Sequence, residues 1–340
     1  MGKKAWLGAM LGRTGIAGAC LRMRLQPAGR LLILAYHRIT DVGDEKAFAR
    51  DPELVSASVD DFERQMRYVR RHFDAMSFAD VLELIDLGRP LPRRALIITF
   101  DDGHLDNYTH AFPVLRSLGL PATIFLSTDY VGTDRMFWFD RVAQLLYWAP
   151  GGQWQVGEER FSLPPDDVDA RRVAAGSLLG SLKQVCDARR LEVLGALEAL
   201  FAAHVPAHAT PARSALDWSE VREMAGHGIE FGSHTCSHPI LSRLDDGGLQ
   251  RELSDSRDTI ARHLGRPVHT VAYPVGKGAA FDQRVMEASS RCGYRLGISY
   301  ETGINHHRWL EPFALRRLAV ERYTRMDFFQ GLLAFPRLLA

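Results

Sequence analysis

Two adjacent carboxylates and two imidazoles four residues apart are the groups in this chain best suited to act together. Asp101 and Asp102 end the run Ala95-Leu-Ile-Ile-Thr-Phe-Asp-Asp-Gly103, and His234 and His238 lie in Gly232-Ser-His-Thr-Cys-Ser-His-Pro239. Each group follows an apolar, β-rich run and breaks into glycine or proline, which places both at strand ends. Hydrolysis of an amide needs an activated water, a polarised carbonyl and a proton for the leaving amine, and a divalent metal supplies the first two. Two neutral imidazoles and one carboxylate form a facial set that leaves metal positions open for water and substrate. His234, His238 and one of the two aspartates could fill it. Successive strand residues point to opposite faces, so Asp101 and Asp102 would not share a task in a regular strand, whereas a turn at Gly103 can bring both toward one cavity. Cys236, between the histidines, reads as a small spacer.

The elements that must position these groups alternate. Leu31 to His37 is an apolar run suited to a doubly buried strand, and Val59 to Phe73 carries Phe62, Met66, Val69 and Phe73 on one helical face. A short helix at 79–87, strand 95–100, helix 109–118 and strand 122–126 follow; after a break come strand 228–231, helix 248–264, strand 269–273, helix 281–292 and strand 295–298. Alternation of this kind predicts a parallel sheet with helical crossovers, either an open doubly wound sheet or a closed (β/α) barrel. The barrel suits the chemistry better, because barrel sites collect at the carboxyl ends of strands, where His37, Asp101, Asp102, His234, His238 and Tyr273 all fall.

Residues 133–218 break the pattern with Gly151-Gly152, Pro164-Pro165 and a leucine- and alanine-rich helical stretch, and read as a mostly helical insertion on the rim. Phe137, Trp138, Phe139 and Trp148 at its start are candidates for stacking on sugar faces. The expected organisation is a basic, half-apolar segment 1–30, a barrel over 31–132 and 219–325, the insertion 133–218 and a tail 326–340. Arg13 interrupts the apolar run after Lys3 and Lys4, which makes a poor export signal and suits peripheral contact with an anionic membrane surface. The chain is therefore expected in the cytoplasm or on the inner face of the membrane. A net charge of +1 without a basic patch argues against a nucleic-acid partner, and four scattered cysteines suggest neither disulfides nor a zinc knuckle.

Thr99-Phe-Asp-Asp-Gly103, His234-Thr-Cys-Ser-His238 and Tyr273-Pro-Val-Gly276, in this order, resemble the leading motifs of the polysaccharide deacetylase family, also called the NodB homology domain or carbohydrate esterase family 4. The resemblance takes in Tyr36-His-Arg-Ile39 and covers about residues 31–320. It implies a distorted or incomplete (β/α) barrel and a division of labour. Asp101 would be the general base, and Asp102 would bind the metal beside His234 and His238, with zinc the expected ion and cobalt, nickel, iron or manganese the alternatives. Tyr273, Pro274 and Gly276 would line the substrate region together with Trp138. Many members carry an arginine two residues before that proline to hold the base; here the residue is Ala272, and Arg317 is the candidate substitute. No late Leu-x-Leu-x-His is present, so His37 is the candidate acid, with His306 and His307 read as a solvated loop. The implied substrate is an N-acetylated glycan or a lipid-linked saccharide, and the implied reaction removal of its acetyl groups. The competing reading is a degenerate barrel that binds a glycan or a partner without turnover.

Overall fold

The computed structural model describes residues 10, 29–43, 48, 50–165, 167–210, 212–306 and 311–336 of the 340-residue chain. The expectation of membrane contact rests on residues 1–30, which apart from 10, 29 and 30 lie outside the described residues, as does His307. Among the described residues, no helix is long and apolar enough to cross a membrane.

Seven parallel strands form the core: β1 (Arg30–Tyr36), β2 (Ala95–Phe100), β3 (Ala122–Leu126), β4 (Ile229–Ser233), β5 (Thr270–Ala272), β6 (Leu296–Thr302) and β7 (Leu315–Ala319). Each pairs with its successor, and β1 pairs with both β2 and β7, so the ring is closed. The closing register runs from Leu32 opposite Leu96 to Tyr36 opposite Phe100. Of the distorted and incomplete forms of the (β/α) barrel expected from sequence, the closed ring of seven strands leaves the distorted one.

Strand alternation divides the apolar residues into two sets. Leu31, Ile33, Ala95, Ile97, Phe125, Ala272, Leu296, Ile298 and Leu315 share one cluster, drawn from six strands, that fills the barrel. Leu32, Leu34, Leu96, Ile98, Ile124, Val271 and Leu318 join the larger cluster beneath the helices. That period of two is the strand repeat itself. The same phase places Tyr300 within β6 and Arg317 within β7 on the inner side and, continued past the strand ends, His37, Asp101 and His234 as well, toward the carboxyl end.

Around the ring lie α1 (Val59–His72), α2 (Phe78–Asp86) and α3 (Phe112–Leu118), then, beyond the insertion, α7 (Trp218–Ala225), α8 (Asp246–Leu264), α9 (Gln283–Arg291) and α10 (Met326–Ala334). Ser58 caps α1 by accepting from the Asp61 N–H, and a reciprocal Ser77–Asp80 capping box starts α2. Helix α10, within the segment read as a tail, buries Phe329, Leu332 and Leu333 against the outer cluster. A short π-helix, Asn107–Ala111, precedes α3 and replaces the regular helix start expected at 109.

The insertion holds α4 (Trp138–Trp148), α5 (Val168–Leu182) and α6 (Asp187–Phe201) and has its own apolar core. It also contains an antiparallel hairpin, Gly152–Val156 with Glu159–Leu163, that periodicity did not reveal. Its return to the barrel is stitched beside the Asp pair: Leu216 N–H donates to Gly103 O at 2.9 Å and Leu105 N–H to Ser214 O at 2.9 Å.

Candidate metal centre and active site

Asp101 continues the inward phase of β2, and Asp102, next in line, should point away from it. It does not, because Asp102 adopts φ 73° and Gly103 φ 76°, so the strand ends in two left-handed residues. Aspartate tolerates this region better than most residues, and glycine adopts it freely. A Cβ at Gly103 would also lie 2.6 Å from the Leu126 side chain. Both carboxylates consequently line one cavity of about 230 Å³. Thr235 (φ 69°), His238 (φ 59°) and Val275 (φ 62°) are also left-handed and non-glycine. All such residues among those described therefore belong to the three motif loops, where strain is held by surrounding structure.

Asp102, His234 and His238 are all buried, and their ligand atoms lie within 4.8 Å of one another. His234 Nε2 and His238 Nε2 approach Asp102 Oδ1 at 3.5 and 3.3 Å. That oxygen is buried and has no hydrogen-bond partner among the described residues. Ligands about 2.0–2.1 Å from a tetrahedral ion stand roughly 3.3 Å apart, so this donor set fits a metal. His234 Nδ1 donates to Ala272 O at 2.7 Å, which leaves Nε2 its lone pair. Burial pushes the His234 imidazole down to about 4, so it is neutral and able to ligate at neutral pH.

Two residues that the sequence reading passed over brace this set. His104 is fully buried with Nε2 3.0 Å from Asp102 Oδ2, the oxygen turned away from the histidine pair. Burial alone would raise the Asp102 carboxyl, but His104 and His238 hold it well below the usual carboxylate range. Only its place directly after Gly103 marked His104 in the sequence. Glu252 on α8 accepts from the N–H groups of Cys236 (2.7 Å) and Ser237 (3.0 Å) and from Ser237 Oγ (2.7 Å), pinning the loop between the two histidines. Nothing local marks an acidic residue in mid-helix for this task. Glu252→Gln cannot accept all three bonds and is expected to weaken metal affinity about 10- to 100-fold, as loss of an outer-shell partner does. Competition with a chelating indicator reads this directly, and unchanged affinity would remove Glu252 from the site.

Asp101 is gripped from across the barrel. Arg317 donates from both terminal nitrogens to its two oxygens at 2.7 Å, and its Nε donates to Ser299 O at 2.8 Å. Tyr300 lies over the guanidinium at 4.9 Å. Burial opposes ionisation of Asp101, but Arg317, with His234, holds its carboxyl below the ordinary value. Arg317 thus makes the contact with Asp101 for which Ala272 offers no guanidinium. His37 Nε2 stands 3.9 Å from Asp101 Oδ2 on the pocket wall. Burial lowers its imidazole pKa against the pull of Asp102 and Asp101. His306 lies on a short strand pairing with the start of β1, at the opposite end of that strand from His37.

The four expected substrate contacts lie buried outside the cavity lining. Tyr273 follows Val271 on the outer face of β5, is fully buried, and spends its N–H on Ile298 O and its hydroxyl on Phe313 O. Pro274 and Gly276 are also buried, and Gly276, at φ 57°, packs its carbonyl on Tyr300 N–H at 2.7 Å. The residue of this loop that lines the pocket is Val275. Trp138 is 6% exposed and donates Nε1 to His238 O at 3.2 Å, bracing the metal loop, while its neighbour Phe139 faces the cavity.

The family profile described as Polysaccharide deacetylase matches residues 88–177 and 178–297. The Bacillus subtilis (strain 168) protein YxkH is 21% identical over 282 residues, 83% of this chain and 68% of that one. The poly-beta-1,6-N-acetyl-D-glucosamine N-deacetylase of Escherichia coli (strain K12) is 26% identical over 129 residues, 38% of this chain and 15% of that protein. Among solved structures, Streptococcus pyogenes deacetylase PplD in complex with acetate shares the fold with TM-score 0.59 at 18% identity, over 90% of this chain and 98% of that one. IcaB from Ammonifex degensii matches with TM-score 0.56 at 18% identity, over 93% and 99%.

Proposed function

The chain belongs to the polysaccharide deacetylase family, and from that premise we propose that it is a metal-dependent carbohydrate N-deacetylase, removing acetyl groups from N-acetylated hexosamines of a polysaccharide. The observation that carries the reading is the buried Asp102–His234–His238 set beside an Asp101 kept ionised by Arg317. A divalent metal held by those three residues, zinc by choice, would lower the pKa of a bound water and polarise the acetamido carbonyl. Asp101, buried and ionised, takes the proton from the attacking water. Arg317 fixes both Asp101 oxygens, so the base cannot swing toward the metal ligands. His37 is the group placed to hand a proton to the leaving nitrogen; because burial disfavours its charged form, it serves as acid by taking up the proton that Asp101 removes from the water and passing it to the nitrogen as the carbon–nitrogen bond breaks. The relatives named for poly-beta-1,6-N-acetyl-D-glucosamine support a glucosamine-based glycan as substrate.

Metal-reconstituted protein is expected to release acetate from β-1,6-linked N-acetylglucosamine oligomers in proportion to its metal content, and to stop when the metal is chelated. Fully loaded protein that releases no acetate from a broad panel of acetylated glycans would defeat the proposal and favour a glycan-binding module.

A further inference from the structure

The insertion is part of the pocket wall. Phe139 on α4 and Lys183 at the end of α5 line the cavity, together with the barrel-borne rim segment that contains Asp51 and Glu53. Insertion and rim are locked together: Asp51 N–H donates to Asp140 Oδ1 at 3.0 Å, Arg172 pairs with Glu53 at 2.9 Å, and buried Arg38 pairs with Asp140 at 2.5 Å. A wall tied at three points holds its polar groups in place.

On this wall no carboxylate within 4.0 Å and no hydrogen-bond acceptor among the described residues engages the Lys183 ammonium, so its three donors are open to solvent or to a ligand. Lys183 is half-buried, and burial lowers its pKa. Asp51 faces the same space, pushed up to about 6 by burial, with one oxygen accepting from Glu53 N–H. The two groups influence each other's ionisation without touching. The charges lining the cavity choose among ligands. Among the lining carboxylates Glu53 is paired with Arg172, Asp101 with Arg317, and Asp102 belongs to the His234–His238 set, so the charges left to face a ligand are Lys183 and Lys277, which repel a cation, and Asp51 and Glu321, which repel an anion. A hydroxyl accepts from an ammonium and donates to a carboxylate, so it satisfies both without net charge. The cavity, at about 230 Å³, is below the roughly 300 Å³ at which pockets for drug-sized ligands begin, so a polymer held at one sugar must lay its next unit across the rim.

We propose that Lys183 and Asp51 form a subsite for the neutral, hydroxyl-bearing sugar adjoining the residue that is deacetylated. The subsite rests on the deacetylase reading for its substrate, and it gives the insertion a role in selecting chains over single sugars. Lys183→Met should lower the ratio of kcat/KM for the β-1,6-linked N-acetylglucosamine pentamer to that for the monosaccharide by about 10- to 100-fold, the cost of a lost hydrogen bond to a charged group. The change should lie in KM, and Asp51→Asn should act in the same sense. An unchanged ratio, or equal losses for both substrates, would overturn the subsite. If the metal-loaded protein releases no acetate at all, equilibrium binding of the pentamer to wild type and Lys183→Met carries the test: at least tenfold weaker binding by the variant upholds the subsite while the deacetylase reading fails, and equal binding overturns it. Tighter binding of a uronic-acid pentamer or of a glucosamine pentamer than of the neutral one would also overturn it.

Discussion

Asparagine at position 101 is expected to lower kcat about 100- to 10,000-fold, the range contributed by a positioned general base, while the protein keeps its metal. The amide preserves the shape of Asp101 and cannot accept a proton from water. It also leaves the Arg317 guanidinium buried against a neutral partner, and breaking a buried pair from one side costs about 3–5 kcal/mol. Asp101→Asn should therefore melt well below wild type, and low activity alone would not distinguish a lost base from a lost fold. Two further variants separate them. Arg317→Met strands the carboxylate instead: Asp101 loses the first of the charges that lower its pKa, the pKa rises, and the acid limb of kcat/KM moves to higher pH. Replacing both, as Asp101→Leu with Arg317→Met, removes the charge imbalance and should give a more stable protein than either single change, still without turnover. Kinetics measured well below each melting temperature decide the matter. Wild-type turnover in Asp101→Asn would remove Asp101 as the base, and an unmoved acid limb in Arg317→Met would remove Arg317 from its control.

The second large effect concerns the metal. Asp102→Asn, His234→Ala and His238→Ala should each lose more than the ~100-fold in metal affinity that removal of an outer-shell partner costs, because each removes a donor outright. Asparagine is the informative choice at position 102. The residue sits at φ 73°, where alanine is strained and asparagine is tolerated, so Asp102→Asn removes the charged ligand and spares the backbone. Metal content after dialysis against micromolar zinc, with the far-ultraviolet circular dichroism spectrum as a check on folding, gives the answer. A folded Asp102→Asn protein that retains stoichiometric metal would show that the ion is held elsewhere.

Much of the barrel was legible because strand alternation is local. The parity that places Ile97 in the barrel also places Thr99 and Asp101, and that of Leu315 places Arg317 inside and Arg316 outside. The same rule, carried along β5 from Val271, puts Tyr273 on the outer face, so this misassigned contact was readable. Trp138 and Phe139 were not separable in this way. Both are apolar, adjacent and at the start of a helix, and which one meets the cavity depends on how α4 is set against the His238 loop.

By itself, the sequence determined the element alternation, the inward carboxylate and imidazole of the leading motifs, and the family, since these rest on residue type and on repeats of two and 3.6 that act over a few positions. Tertiary structure alone decided three things. Ring closure brought Arg317 onto Asp101 across 216 positions, left-handed backbone turned Asp102 against its strand parity, and the insertion carried Lys183 to the pocket. The physical reason is common to all three. Periodicity reports which way a side chain points from its own element, whereas the partner it meets depends on closure, loop conformation and docking between segments far apart in the chain.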